Sequence, residues 1–188
     1  MNIFKGKRVR LRAKNLSDVE RDIATINSIE YNTEIDRMTG MIHLPFSTDA
    51  IKGDLEKEVM QSNDWENCNL IIETLDKVAV GGIVISNADR KDGCFSYGLG
   101  IKEEHRRKGY ASEAIILLLN YYFNELRFHK CNLSIYDFNE SSKRLHKKLG
   151  FIEEGRQRES KYSQGKYHDI IFYGISEEEF RKAHDCGV

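Results

Sequence analysis

The chain predicts an α/β fold of the α+β kind: a mixed, largely antiparallel sheet with helices on both faces. Three observations carry this. Strand-like segments at 69–75 and 78–86 sit either side of a two-residue turn, and a second pair closes the chain at 151–157 and 168–176; such hairpins place neighbours antiparallel. The segment after Ala111 is apolar nearly all round, which suits a helix buried against a sheet rather than one lying on the surface. Helical patterns separate some strands but not most, so a doubly wound parallel sheet, which needs a helix between nearly every pair, is disfavoured. With 188 residues and 40% hydrophobic content, the chain is long enough for one well-buried core and too short for two ordinary domains, so residues 1–188 read as a single domain.

The elements follow in order. Arg8-Val9-Arg10-Leu11-Arg12 alternates polar and apolar as a half-buried strand does. Ser17-Asp18-Val19-Glu20 has capping-box spacing and opens a helix with Val19, Ile23, Ile26 and Ile29 at three- and four-residue intervals, ending near Glu30. The stretch from Tyr31 to Ser47 contains Gly40 and Pro45 and lacks sustained periodicity, which predicts a long loop of the kind that carries binding groups. A helix over about Thr48 to Gln61 precedes the first hairpin, whose turn is Asp76-Lys77. A strand at Phe95 to Ile101 feeds the buried helix, Ala111 to Leu126. A strand at Cys131 to Tyr136, a helix at Glu140 to Leu149 and the final strand pair complete the series.

Charge and cysteine usage exclude several classes. The 29 Lys and Arg against 30 Asp and Glu give a net charge of −1, so nothing in the bulk electrostatics calls for nucleic acid. Cys68, Cys94, Cys131 and Cys186 are scattered, with no C-x-x-C pair and no histidine at metal spacing, which predicts reduced thiols and no metal site. The N-terminus lacks an apolar core of signal-peptide length, and the apolar run 114–119 is far short of a membrane span; a cytoplasmic location and no membrane partner are expected.

The segment richest in chemistry is Arg106-Arg107-Lys108-Gly109-Tyr110-Ala111, between a strand and a helix start. Backbone N–H groups in the first turn of a helix have no intrahelical acceptor, and the aligned peptide dipoles place partial positive charge there, so an anion fits. Gly109 admits close backbone approach, Ala111 keeps the first turn small, and three cations precede the glycine. No G-x-x-x-x-G-K-[ST] loop is present, and Gly98 and Gly100 lack the third glycine of a dinucleotide fingerprint. What remains is R-x-x-G-x-A over Arg106, Gly109 and Ala111, which resembles the pyrophosphate loop of the GNAT superfamily of acyl-CoA-dependent N-acyltransferases. Downstream, the run from Asn139 to Phe151 resembles that family's N-x-x-[AS]-x-x-L-[YH]-x-K-L-G-F element. Lys7 to Arg12 resembles the opening strand, and Gly165 to Tyr173 is similar to the closing strand of the RimJ/RimL-like branch.

This resemblance implies a sheet of six to seven strands and attack of a neutral amine on the thioester of acetyl-CoA. The co-substrate cradle would be Arg106, Arg107, Lys108, Gly109, Tyr110, Ala111 and Ser112. Glycine inside a strand marks a bulge or a close backbone approach, so Gly98-Leu99-Gly100-Ile101 is where a pantetheine arm would pair, with the amide that polarises the acetyl carbonyl near Leu99, Gly100 and Ile101. At 100° per residue, Asn139, Ser142 and His146 fall within about 60° of one another on the later helix. Asn139 matches the family's pantetheine-contacting asparagine, and Ser142 lies beside it. His146 stands where many members carry a tyrosine acid, and a protonated imidazole there would donate to the departing thiolate. The strand before the loop carries no carboxylate at its inward positions, leaving Ser96 with water as the route for the amine proton and Glu34, Asp36, Glu73 and Asp137 as alternatives.

Two basic clusters stand out, one over Lys5 to Lys14 and one over Lys143 to Lys148. Both suit a solvated strand edge and helix face; the sharper readings are an acidic protein on the first and the 3′-phosphate of CoA on the second. The acceptor implied is a small-molecule amine or a protein N-terminus, with the 31–47 loop and the 160–165 turn as its wall. Aromatic residues near the C-terminal strands suit a homodimer. The different class to weigh is an acyl-CoA-binding sensor without turnover.

Overall fold

The computed structural model describes residues 2–15, 17, 37, 42, 47–61 and 68–184. All but Ser17 of the capping-box helix expected over 17–30, and most of the 31–47 loop, with Glu34 and Asp36, lie outside them. The described elements are β1 (Val9–Ala13), α1 (Thr48–Gln61), β2 (Asn69–Thr74), β3 (Ala79–Asp89), β4 (Cys94–Ile101), α2 (Tyr110–Asn120), β5 (Lys130–Tyr136), α3 (Glu140–Lys148), β6 (Ile152–Ser163), β7 (Lys166–Ser176) and α4 (Glu177–His184). The seven strands form one mixed sheet in the order β1-β2-β3-β4-β5-β7-β6, antiparallel everywhere except between β4 and β5.

The core follows from strand alternation. Leu11, Ile72, Ile83, Phe95, Tyr97, Leu133, Ile171 and Tyr173 present one sheet face to Ala114, Ile115, Leu118 and Leu119 of α2. Phe95 stacks on Tyr122 at 4.2 Å between ring centroids, and Phe123 meets Phe180 of α4 at 5.5 Å. Ile71, beside Ile72 but pointing to the opposite face, is also buried, as are Ile51 and Leu55 of α1.

Differences from the sequence reading are local. The buried helix starts one residue earlier, at Tyr110, and after Asn120 widens into a π-turn over Tyr121–Glu125, where Leu126 N–H donates to Tyr121 O. β6 runs to Ser163 because its pairing with β7 resumes at Lys161 after a bulge. Helix α4 was not expected. Ser176 caps it, with Ser176 N–H and hydroxyl both donating to Glu179 Oε2 at 2.8 and 2.9 Å.

Candidate active site

β4 and β5 pair at only two positions, Cys94 with Lys130 and Phe95 with Cys131, and then part. The gap between them opens into a cleft of about 1340 Å³ lined by residues 96–101 of β4 and 132–136 of β5. Backbone pairing decides which amides face the gap. Lys102 N–H donates to Val80 O across β3, so by antiparallel alternation Gly100 and Gly98 also turn their backbone groups to β3. Tyr97, Leu99 and Ile101 turn theirs to the gap. Arg106 Nε confirms the direction by donating to Ile101 O at 3.2 Å. Of the amides expected near the thioester, Leu99 and Ile101 therefore face the cleft, while that of Gly100 belongs to the sheet.

At the end of β4 a 3₁₀ turn, Glu103–His105, leads into Arg107 at φ 62° and Gly109 at φ 83°, which caps α2 in the left-handed region. Only glycine takes that conformation without strain, and it aims the free first-turn N–H groups outward. Arg106, Arg107, Gly109, Tyr110, Ala111 and Ser112 line the cleft; Lys108 is exposed and does not. The N-terminal strand holds this corner. Glu113 on the first turn of α2 accepts from the backbone N–H of Lys7 and Arg8, and a Cβ on Gly109 would lie 2.5 Å from Arg8 Nη1. Arg8 is thus brought to the loop by a contact that no local sequence signal reveals.

On α3, Asn139 Oδ1 accepts from Ser142 N–H at 3.1 Å and from the Ser141 hydroxyl at 3.0 Å, capping the helix. That bond fixes the amide so that its NH₂ group, which has no partner among the described residues, remains for the cleft. His146 is buried, with Nδ1 2.8 Å from Ser142 O and Nε2 2.9 Å from the Tyr97 hydroxyl. A carbonyl only accepts, so Nδ1 carries the proton and Nε2 accepts from Tyr97. Burial pushes the imidazole down to about 4, against a smaller upward effect of the Ser142 carbonyl. The ring is neutral near pH 7, so the imidazolium donor expected from the sequence is replaced by a neutral imidazole that orients a phenol. Tyr97, whose own ionisation burial disfavours, was missed because its place in the alternation reads as core.

Ser96 faces the other side of β4 from Tyr97 and lies opposite Ser86 of β3, also on the cleft wall. The two carboxylates proposed as bases in described regions have other partners. Glu73 is fully buried between Arg10 Nε at 2.6 Å and Arg12 Nε at 2.8 Å; burial raises its pKa, but the two guanidiniums outweigh that and hold it below the usual value. Part of the N-terminal basic cluster is therefore an internal clamp rather than a solvated edge. Asp137 accepts from His168 Nδ1 at 3.0 Å. In the second cluster, Lys143 pairs with Glu140 at 2.6 Å.

The features an acyl-CoA needs are present: a gap with free strand amides, a helix N-terminus fronted by arginines, and an asparagine with free donors. Residues 8–152 match the family model described as Acetyltransferase (GNAT) domain. The chain belongs to the GNAT acetyltransferase family. It is an N-acetyltransferase, and the co-substrate of the family is acetyl-CoA. A relative is the SPbeta prophage-derived uncharacterized N-acetyltransferase YokL of Bacillus subtilis (strain 168), 36% identical over 163 residues, 87% of this chain and 89% of the relative. Another is spermidine N(1)-acetyltransferase of Vibrio cholerae serotype O1, 28% identical over 100 residues, 53% of this chain and 58% of the relative. Among solved structures, the spermidine N-acetyltransferase from Vibrio cholerae in complex with CoA and spermine shares the fold at TM-score 0.77, with 22% identity over 93% of this chain and 99% of the other. A GNAT-family acetyltransferase from Bacillus anthracis does so at TM-score 0.75, with 21% identity over 93% and 98%.

Proposed function

We propose that this GNAT enzyme, of RimJ/RimL-like type, acetylates a small primary amine by direct attack on the thioester. The observation that carries the reading is the β4–β5 gap, with Leu99 and Ile101 amides facing into it beside the Arg106–Ser112 loop. When bound, acetyl-CoA supplies the activated acyl carbon. The loop N–H groups with Arg106 and Arg107 hold the pyrophosphate, and the Asn139 NH₂ group and Ile101 backbone hold the pantetheine arm. Leu99 N–H donates to the carbonyl oxygen as negative charge develops on it, the placement an oxyanion donor requires.

The two proton tasks fall on opposite faces of β4. On the face of α3, the Tyr97 hydroxyl rests with its one hydrogen on His146 Nε2 and turns that hydrogen from Nε2 to the departing sulfur as the thiolate forms. On the other face, Ser96 with water takes the amine proton to bulk. His146 acts in this scheme through Tyr97, and Ser96 touches the acceptor.

Thiol release from acetyl-CoA, followed with a disulfide dye, tests the proposal across spermidine, putrescine, aminoglycosides, amino-acid analogues and a Ser- or Ala-terminated peptide. Release that depends on a small amine is expected. Tight acetyl-CoA binding with no release for any amine would overturn it in favour of a sensor.

A further inference from the structure

We propose that Glu154 is the acceptor-recognition residue of this cleft, selecting amines that carry a second cationic group. The inference rests on the function proposed above and deepens it. Glu154 occupies the bulge of β6, where pairing steps from Glu153 with Tyr173 to Gly155 with Phe172. The bulge turns its side chain across the sheet. The carboxylate lies flat on Gly174 of β7, close enough that a Cβ there would meet Oε1 at 2.5 Å and Oε2 at 2.7 Å.

Register locates this carboxylate relative to the chemistry. Gly174 lies opposite Asn132, and Asn132 is the first β5 residue beyond the last pair with β4. Glu154 therefore sits over the strand next to the mouth of the gap. It lies on the face of Ser96, away from α2 and α3, about two strand spacings or ~10 Å from the β4 amides. Among the described residues lining the cleft, the carboxylates are Glu154 and Glu103, and Glu103 belongs to the 3₁₀ turn at the loop end. The other wall residues on this face include the uncharged Ser86, Asn132 and Ser134, the apolar Phe172 and, beyond the end of β1, one cation, Lys14.

Lys130 Nζ lies 2.6 Å from Oε1 and tethers the group from the closed end of the gap. Oε2 has no hydrogen-bond donor among the described residues. An ammonium held at Oε2, with a reacting amine at the gap, fits a diamine and leaves a monoamine without an anchor. A neutral substitution removes this attraction while the loop and gap stay intact.

The test compares putrescine with butylamine, which differ by the distal amine, in wild type, Glu154→Gln and Gly174→Ala. Wild type should turn over putrescine at least tenfold better in kcat/KM. Both variants should raise the putrescine KM about tenfold, level the two amines and leave the acetyl-CoA KM unchanged. Gly174→Ala tests the same carboxylate by displacement, so agreement of the variants excludes a defect peculiar to β6. A diamine preference retained by Glu154→Gln, or turnover of the peptide alone, would overturn this inference and leave the acetyltransferase reading standing. No thiol release with any acceptor would overturn both.

Discussion

His146 Nε2 lies 2.9 Å from the Tyr97 hydroxyl, and this bond ties helix α3 to strand β4 at the wall of the gap. It joins residues 49 positions apart, one of which looks like core and the other like a helix-surface histidine. Tyr97→Phe removes the hydroxyl and leaves Nε2 buried without a donor. We expect kcat to fall at least tenfold with the acetyl-CoA KM unchanged, and stability to fall by about 1–3 kcal/mol. His146→Ala should lower kcat similarly. Unchanged turnover in Tyr97→Phe would remove the phenol from the chemistry.

Stability should depend on pH through the same histidine. Its pKa is 6.5 unfolded and about 4 in the folded chain, so between those values the unfolded state binds the extra proton. Stability from this source is complete above pH 6.5 and declines as pH falls toward 4, by up to about 3 kcal/mol. Denaturant midpoints measured from pH 4 to 7 should show the slope, and His146→Gln should flatten it. An equal slope in the variant would place the effect elsewhere.

Gly109→Ala meets a left-handed backbone at φ 83° and the Arg8 guanidinium 2.5 Å from the new Cβ. The arginine can swing aside, so the backbone strain of about 1–2 kcal/mol decides the outcome. The expected result is a several-fold weaker acetyl-CoA KM with the amine KM little changed. An unaltered acetyl-CoA KM would separate Gly109 from the cradle.

Glu73 is a buried charge held by two arginines, and removing one member of such a cluster strands the others. Glu73→Ala should destabilise by about 3–5 kcal/mol, read from chemical denaturation. Arg10→Met, whose side chain is more exposed than that of Arg12, should have a smaller effect. A mild Glu73→Ala phenotype would mean that the arginines find other partners.

Much of the frame was legible in the chain because it depends on periodicity and turn chemistry. Alternation at β1, β2 and β3 and the buried character of α2 are one-dimensional signals. So is the basic glycine turn, although that Gly109 takes a left-handed conformation is seen only in the structure. Asn139, Ser142 and His146 were brought to one side by helical angle alone, and two of their contacts, Asn139 with Ser142 and Ser142 with His146, are local to that helix. What the chain hid was every partnership made across elements. Glu154 reads as one of many surface acids until the bulge carries it over Gly174. Arg10 and Arg12 read as a solvated edge until Glu73 is seen across the β1–β2 pair.

The amino-acid sequence by itself determined the order and type of most elements, the family and the position of the basic glycine turn, since each is written in neighbouring residues. Tertiary structure alone decided which amides face the gap, which proton His146 holds and which carboxylate lies over Gly174 on the Ser96 side of the cleft. Those properties follow from strand register, burial and the parting of β4 from β5, and register and burial are set only when residues distant in the chain are packed together.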